Sequence, residues 1–138
     1  MSQENVDFVK GIVTAAETMD KDALLAALPD LIAQTCDPEI EWVEDPTRAD
    51  GRVYRGHDGV RASWEQWLEN FDEYGVEIET VEDHGDRVFM AALEHGRGSS
   101  SNADVRSHIY VLYTFRDGKV LRYQEFYDEQ DARAALKA

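Results

Sequence analysis

Val43-Glu44-Asp45-Pro46 is where the pattern of this chain changes. Ile40 to Glu44 reads as a short strand, closed by Pro46. A turn rich in glycine and arginine then leads into a helix carrying Trp64 and Trp67 on one face. A carboxylate held at the mouth of an apolar cavity is costly to build, because stripping water from a charge is expensive. Asp45 is therefore the first candidate for a proton-transfer group, set against the plainer reading in which Asp-Pro ends a strand and caps a turn.

Upstream of that point the chain reads as helices. Val6, Val9, Val13 and Ala16 recur at helical spacing, and so do Leu24, Leu25, Leu28, Leu31 and Ile32. Asp20 and Asp22 are cap candidates for the second helix, and Pro29 is expected to break or restart it. Downstream, Val60, Trp64, Trp67, Leu68 and Phe71 form one stripe of a third helix of about four turns. Gly56 to Asp58 supplies its start and Gly75 its end, and Glu65, Glu69, Asp72 and Glu73 fill the opposite face.

From Val76 the pattern is extended. Strands are expected over Val76–Val81, Arg87 to about Gly96, Val105 to Arg116 and Lys119 to about Asp128, with a last short helix over Glu129–Leu136. His84-Gly85-Asp86 and Asp117-Gly118 are the tight turns, the latter because both residues tolerate positive φ. A Ser-rich loop, Gly98 to Asn102, separates the two middle strands. Helices first and an antiparallel meander after give an α+β class, with a curved sheet wrapped around the tryptophan-bearing helix as a cone.

At 138 residues, 43% hydrophobic and 31% charged, the chain is expected to be one globular domain spanning 1–138. The formal net charge of −15 repels phosphate backbones and anionic lipid surfaces, so neither nucleic acid nor membrane is an expected partner. The first residues lack the basic and apolar regions of a signal peptide, which gives a cytoplasmic expectation. Cys36 stands alone and reads as a small buried apolar residue. His57, His84, His95 and His108 match no metal-ligand spacing, and neither a metal nor a cofactor is expected.

Three stretches taken in order carry a resemblance over nearly the whole chain. They are Val-Glu-Asp-Pro at 43–46, Val53-Tyr54-Arg55-Gly56-His57-Asp58-Gly59-Val60, and Phe115-Arg116-Asp117-Gly118-Lys119-Val120. Together they resemble the nuclear-transport-factor-2-like superfamily, and within it the SnoaL-like group that includes polyketide cyclases, with similarity also to ketosteroid isomerase. The resemblance puts Asp45 at the isomerase's proton-shuttling carboxylate. It puts Ile12 and Val111 where that enzyme has its two oxyanion donors, a tyrosine and a protonated aspartic acid. Neither replacement can donate a proton, and one such donor is worth about 3 kcal/mol, so steroid isomerisation is disfavoured.

Two-residue alternation groups Ile109, Val111 and Tyr113 on one face, and the resemblance turns Tyr123, Glu125 and Tyr127 toward the cavity. The expected site thus has Asp45 and Glu125 as catalytic carboxylates and Trp64, Trp67, Met90, Glu94, Tyr113, Tyr123 and Tyr127 as ligand-binding residues. Set against it is a plainer reading in which the tryptophans and tyrosines are core and Glu125 is ion-paired with Arg122 or Arg106. Aromatic walls with a few convergent polar groups suit a small hydrophobic molecule. Phe89, Ala91, Leu93, Tyr110, Leu112 and Phe126 fall on the other face, too apolar for open solvent. A homodimer formed sheet against sheet is the expectation, as is usual in the superfamily. Two functions follow: a cofactor-independent isomerase, cyclase or dehydratase with Asp45 as general base, or a non-catalytic carrier using the same cone.

Overall fold

The computed structural model describes residues 2–18, 20–45, 47, 52–98 and 104–137. Helix α1 (Ser2–Thr18) is followed by α2 (Lys21–Thr35), which opens on Asp20, whose carboxylate accepts from the Ala23 N–H at 2.8 Å. Pro29 lies inside α2 rather than breaking it. It sits on the exposed face, where water can take the place of the missing backbone bond, while Leu24, Leu28 and Ile32 hold the buried face down.

Strand β1 (Cys36–Val43) runs into the segment containing Asp45, and β2 (Val53–Arg55) pairs antiparallel with it. The expected turn before the long helix therefore contains a strand. Helix α3 (Gly56–Asn70) ends one residue short of Phe71, which begins β3 (Phe71–His84) instead of completing the helical stripe. Gly75 is likewise a strand residue and not a helix stop: a Cβ there would collide with the His95 ring of the neighbouring strand. Strands β4 (Arg87–Gly98), β5 (Asp104–Arg116) and β6 (Lys119–Phe126) complete the sheet, and α4 (Glu129–Lys137) ends the described chain. The core of the expected Ser-rich loop, 99–103, lies outside the described residues. Asp117 and Gly118 turn the last hairpin at φ 52° and 79°, as their chemistry predicts.

The sheet order is β2-β1-β6-β5-β4-β3, antiparallel except where β1 meets β6. Irregularities at Cys36/Glu41, Ile78/Thr80 and Thr114/Phe115 bend the strands. The result is the α+β roll expected from the sequence, a curved, unclosed sheet with helices in its concavity. Val88, Met90, Ala92, Ile109, Val111 and Tyr113 point into that concavity and join Val9, Leu24, Leu28, Val60 and Leu68 in one core.

The convex face is not bare. Phe89 and Leu112 are buried there, with α4 alongside. Ala132 is fully buried, and Arg133 lies 4.0 Å over the Phe89 ring while its guanidinium holds both Glu82 oxygens at 2.6 Å. Asp128 caps the start of α4, and Arg87 donates to the Ala135 and Leu136 carbonyls at its end. Part of the surface expected to need a second subunit is therefore already covered by the chain itself. Ala91, Leu93, Tyr110 and Phe126 remain half-buried.

Candidate functional site

Alternation along β1 carries Ile40, Trp42 and Glu44 to one face. Trp42 and Tyr123 are register partners on β1 and β6, and their rings stack with centroids 3.7 Å apart and planes 8° from parallel. Tyr113, the partner of Tyr123 across the next ladder, meets it edge-on at 5.5 Å, and Trp64 from α3 leans on Trp42 at 6.3 Å. This aromatic group stands between two adjoining cavities and lines both, Tyr113 excepted.

The larger cavity measures about 370 Å³, within the range of small-molecule sites. Its walls come from α1 (Phe8, Gly11, Ile12, Val13), from the apolar face of α2, and from Met90, Ile109, Tyr113 and Val120 on the sheet. The Tyr113 phenol is pushed up from its ordinary pKa, first by burial, then by the nearby Cys36 and by the charge of Glu125. It stays a neutral hydrogen-bond donor at physiological pH. Burial also raises the Cys36 thiol, so this cavity-lining cysteine is held as the inert thiol rather than the reactive thiolate.

The smaller cavity, about 40 Å³, has room for a few water-sized groups. It is bounded by Trp42, Trp64, Trp67 and Tyr123 and by the polar side chains of Glu44, Ser63, Glu94 and Glu125. Glu94 and Glu125 are 7% and 8% exposed, an unusual depth for carboxylates. Glu44 accepts from the Arg52 N–H at 3.3 Å and the Ser63 hydroxyl at 3.4 Å. No basic residue lines this compartment among the described residues.

The expected site residues divide accordingly. Trp64, Met90, Tyr113 and Tyr123 line the large cavity; Trp64, Trp67, Tyr123, Glu94 and Glu125 line the small one. Asp45 and Tyr127 lie in the walls of neither. Asp45 is nevertheless buried, 1% exposed, and one of its oxygens accepts from the Thr47 N–H at 2.7 Å and the Thr47 hydroxyl at 2.6 Å. The other accepts from the Tyr127 N–H at 2.6 Å, tying the end of β1 to the end of β6. A carboxylate so held stabilises a turn and a strand junction, the plainer of the two sequence readings.

Ile12, at the position matched to the isomerase tyrosine, is a cavity wall residue, and Val111 is fully buried in the core. Trp42, Glu44 and Ser63 line the cavities and were passed over in the sequence reading. The alternation Ile40/Trp42/Glu44 was a usable signal for two of them. Among the described residues no group of histidine, cysteine or acidic side chains is arranged to hold a metal ion, and no helix is long and apolar enough to cross a membrane.

The chain belongs to the SnoaL-like family, whose model matches residues 13–123. Solved structures place it in the wider fold group. It is similar to an NTF2-like protein of unknown function from Burkholderia pseudomallei K96243, with TM-score 0.75, 15% identity and 98% of each chain covered. It is also similar to a candidate SnoaL-like polyketide cyclase from Jannaschia sp. CCS1, with TM-score 0.73, 20% identity, and 99% of this chain and 94% of that one covered. A third is a protein of ketosteroid isomerase-like fold from Catenulispora acidiphila DSM 44928, solved with trimethylamine, with TM-score 0.65, 17% identity, and 82% and 88% covered. No curated protein matches the sequence.

Proposed function

We propose that this protein binds a small, largely apolar molecule in the 370 Å³ cavity, with the polar end of that molecule turned into the adjoining acidic compartment. The observation that carries this reading is the pairing of the two volumes across the Trp42–Tyr123 stack. An apolar wall rewards burial of apolar ligand surface at about 25 cal/mol per Å². Beside it, the carboxylates of Glu44, Glu94 and Glu125 offer acceptors and repel anions. The ligand's polar end is therefore a hydrogen-bond donor, an amine or a hydroxyl, and not a carboxylate or phosphate.

Octylamine, octanol and octanoate, titrated against tryptophan fluorescence and thermal stability, test this directly. The amine and alcohol are expected to bind and the acid to fail. Binding of none of the three overturns the cavity as a ligand site, and preference for the acid overturns the assignment of its polar end.

A second reading rests on the depth of Glu94 and Glu125. Carboxylates beside a desolvated ligand are suited to proton transfer, and the neutral Tyr113 phenol supplies a donor for a developing oxyanion. In this reading the base is Glu125, with Glu94 as its acidic neighbour, and Asp45 acts only by holding the strand junction. Cofactor-independent isomerisation, cyclisation or dehydration fits that set, and steroid isomerisation fits less well with Ile12 and Val111 in place of donors. Solvent deuterium uptake into a bound carbonyl compound, lost in Glu125→Gln with binding retained, separates the enzyme from the carrier. The half-buried remainder of the convex face favours a homodimer as the assembly in which either activity resides.

A further inference from the structure

Gly11 is a glycine without a structural reason. It sits in the interior of α1, where glycine is destabilising relative to alanine. Its φ is not among the positive values that require glycine at Gly56, Gly85 and Gly118. Close packing does not demand it either. A Cβ at Gly59 would press within 3.1 Å of Tyr54, whereas at Gly11 it would meet nothing within 4 Å. Yet Gly11 does two things at once: it is exposed to solvent and it lines the large cavity. Its cavity neighbours Phe8, Ile12 and Val13 on α1 and Leu31 on α2 are half-buried apolar side chains. The cavity thus reaches the surface at a notch left by the missing side chain, with apolar jambs on both helices.

We propose that Gly11 is the doorway of the cavity, and that ligands pass between α1 and α2 at this point rather than past the acidic compartment. This rests on the reading of the cavity as a ligand site. The doorway limits the ligand to a narrow apolar body, because the jambs offer no polar side chain to compensate for lost hydration. Residue 11 then sets the barrier to exchange rather than the stability of the bound state, and α1 gives up some helix stability to keep the passage open.

The test is stopped-flow uptake and release of the neutral fluorophore N-phenyl-1-naphthylamine by the wild type, Gly11→Ala, Gly11→Leu and Lys10→Leu. Lys10 is exposed on the same helix and lines neither cavity, so its variant places the same leucine side chain beside the notch but outside it. Gly11→Leu is expected to slow uptake by about tenfold, with release slowed as well, while Lys10→Leu exchanges like the wild type. Gly11→Ala should slow exchange less and melt a few degrees higher, and it keeps the test decisive should the leucine variant fold poorly. Equal rates in all the proteins that bind the probe overturn the doorway and leave the cavity reading intact. A weakened affinity at an unchanged uptake rate makes residue 11 a wall, and also overturns it. No uptake by the wild type overturns both.

Discussion

The two faces of the sheet are made by the same strands and the same alternation, yet they are finished differently. On the convex face Phe89 and Leu112 are closed over by α4, and Arg133 both covers the Phe89 ring and grips Glu82. On the concave face Met90, Ile109 and Tyr113 meet α1, α2 and α3 across a volume that the helices do not fill. Protein interiors ordinarily pack to crystal-like density. One face obeys that rule and the other departs from it beside buried carboxylates. The lesson is that unfilled apolar volume, rather than apolar residues as such, distinguishes the two faces of this sheet.

Truncations should sharpen the contrast. Phe89→Ala removes a fully buried ring and the seat of Arg133, with an expected loss of about 4 kcal/mol in urea unfolding. Leu28→Ala removes a buried wall residue of the cavity and should lose only about 2 kcal/mol, because part of its surface already faces empty space. Equal losses would mean that the cavity collapses in solution. Asp45 lines neither cavity and is held by backbone amides, so it is grouped with the packed side for this test. Asp45→Ala strands the Tyr127 and Thr47 amides and should lose about 3 kcal/mol. Glu125→Gln should leave stability within about 1 kcal/mol and act on ligand preference instead. A stable Asp45→Ala variant that loses ligand would reverse those roles.

The smallest effects are in pH. The bonds from Arg133, more than those from His84, pull the Glu82 carboxyl from 4.5 down to about 2. The folded pKa lies below the unfolded one, so this contribution is whole above 4.5 and fades as pH falls toward 2. Urea midpoints should show that acid-side loss in the wild type and less of it in Arg133→Ala. On the concave face the sign is opposite. Tyr113 and Cys36 are raised above their ordinary 10.0 and 9.0 by burial, so stability is whole below those values and declines as pH rises past them. Tyr113→Phe should flatten the alkaline limb.

Much of this was legible in the chain. The α+β order, the Asp117-Gly118 hairpin and the inward set Met90, Ile109, Val111 and Tyr113 follow from local periodicity, which the sheet preserves. What misled was local chemistry that tertiary packing overrode. Pro29 stays in α2 because it faces outward, and Phe71 leaves the helical stripe because β3 starts there to pair with β4. The Asp45 position could be read but its partner could not: the Tyr127 amide is 82 residues away, and no spacing rule spans that distance. The acidic compartment was half visible, since Glu94 and Glu125 were among the expected site residues. Glu44 follows Ile40 and Trp42 by two-residue alternation, whereas Ser63 joins it only when β1 is laid beside α3.

One feature of the topology bears on how the molecule is made. Strand β6, which leaves the ribosome after the other five described strands, is inserted between β1 and β5, beside a strand formed some eighty residues earlier. Until it emerges, the early strand pair has no bridge to the hairpins that follow, and a nascent chain displays two open edges of the kind that attract other chains. Joining of the two parts of the sheet, completion of the aromatic stack and docking of α4 therefore come as one late event. A ribosome stalled before that segment would hold a product needing chaperone protection, and truncation there should yield aggregate rather than a smaller folded protein.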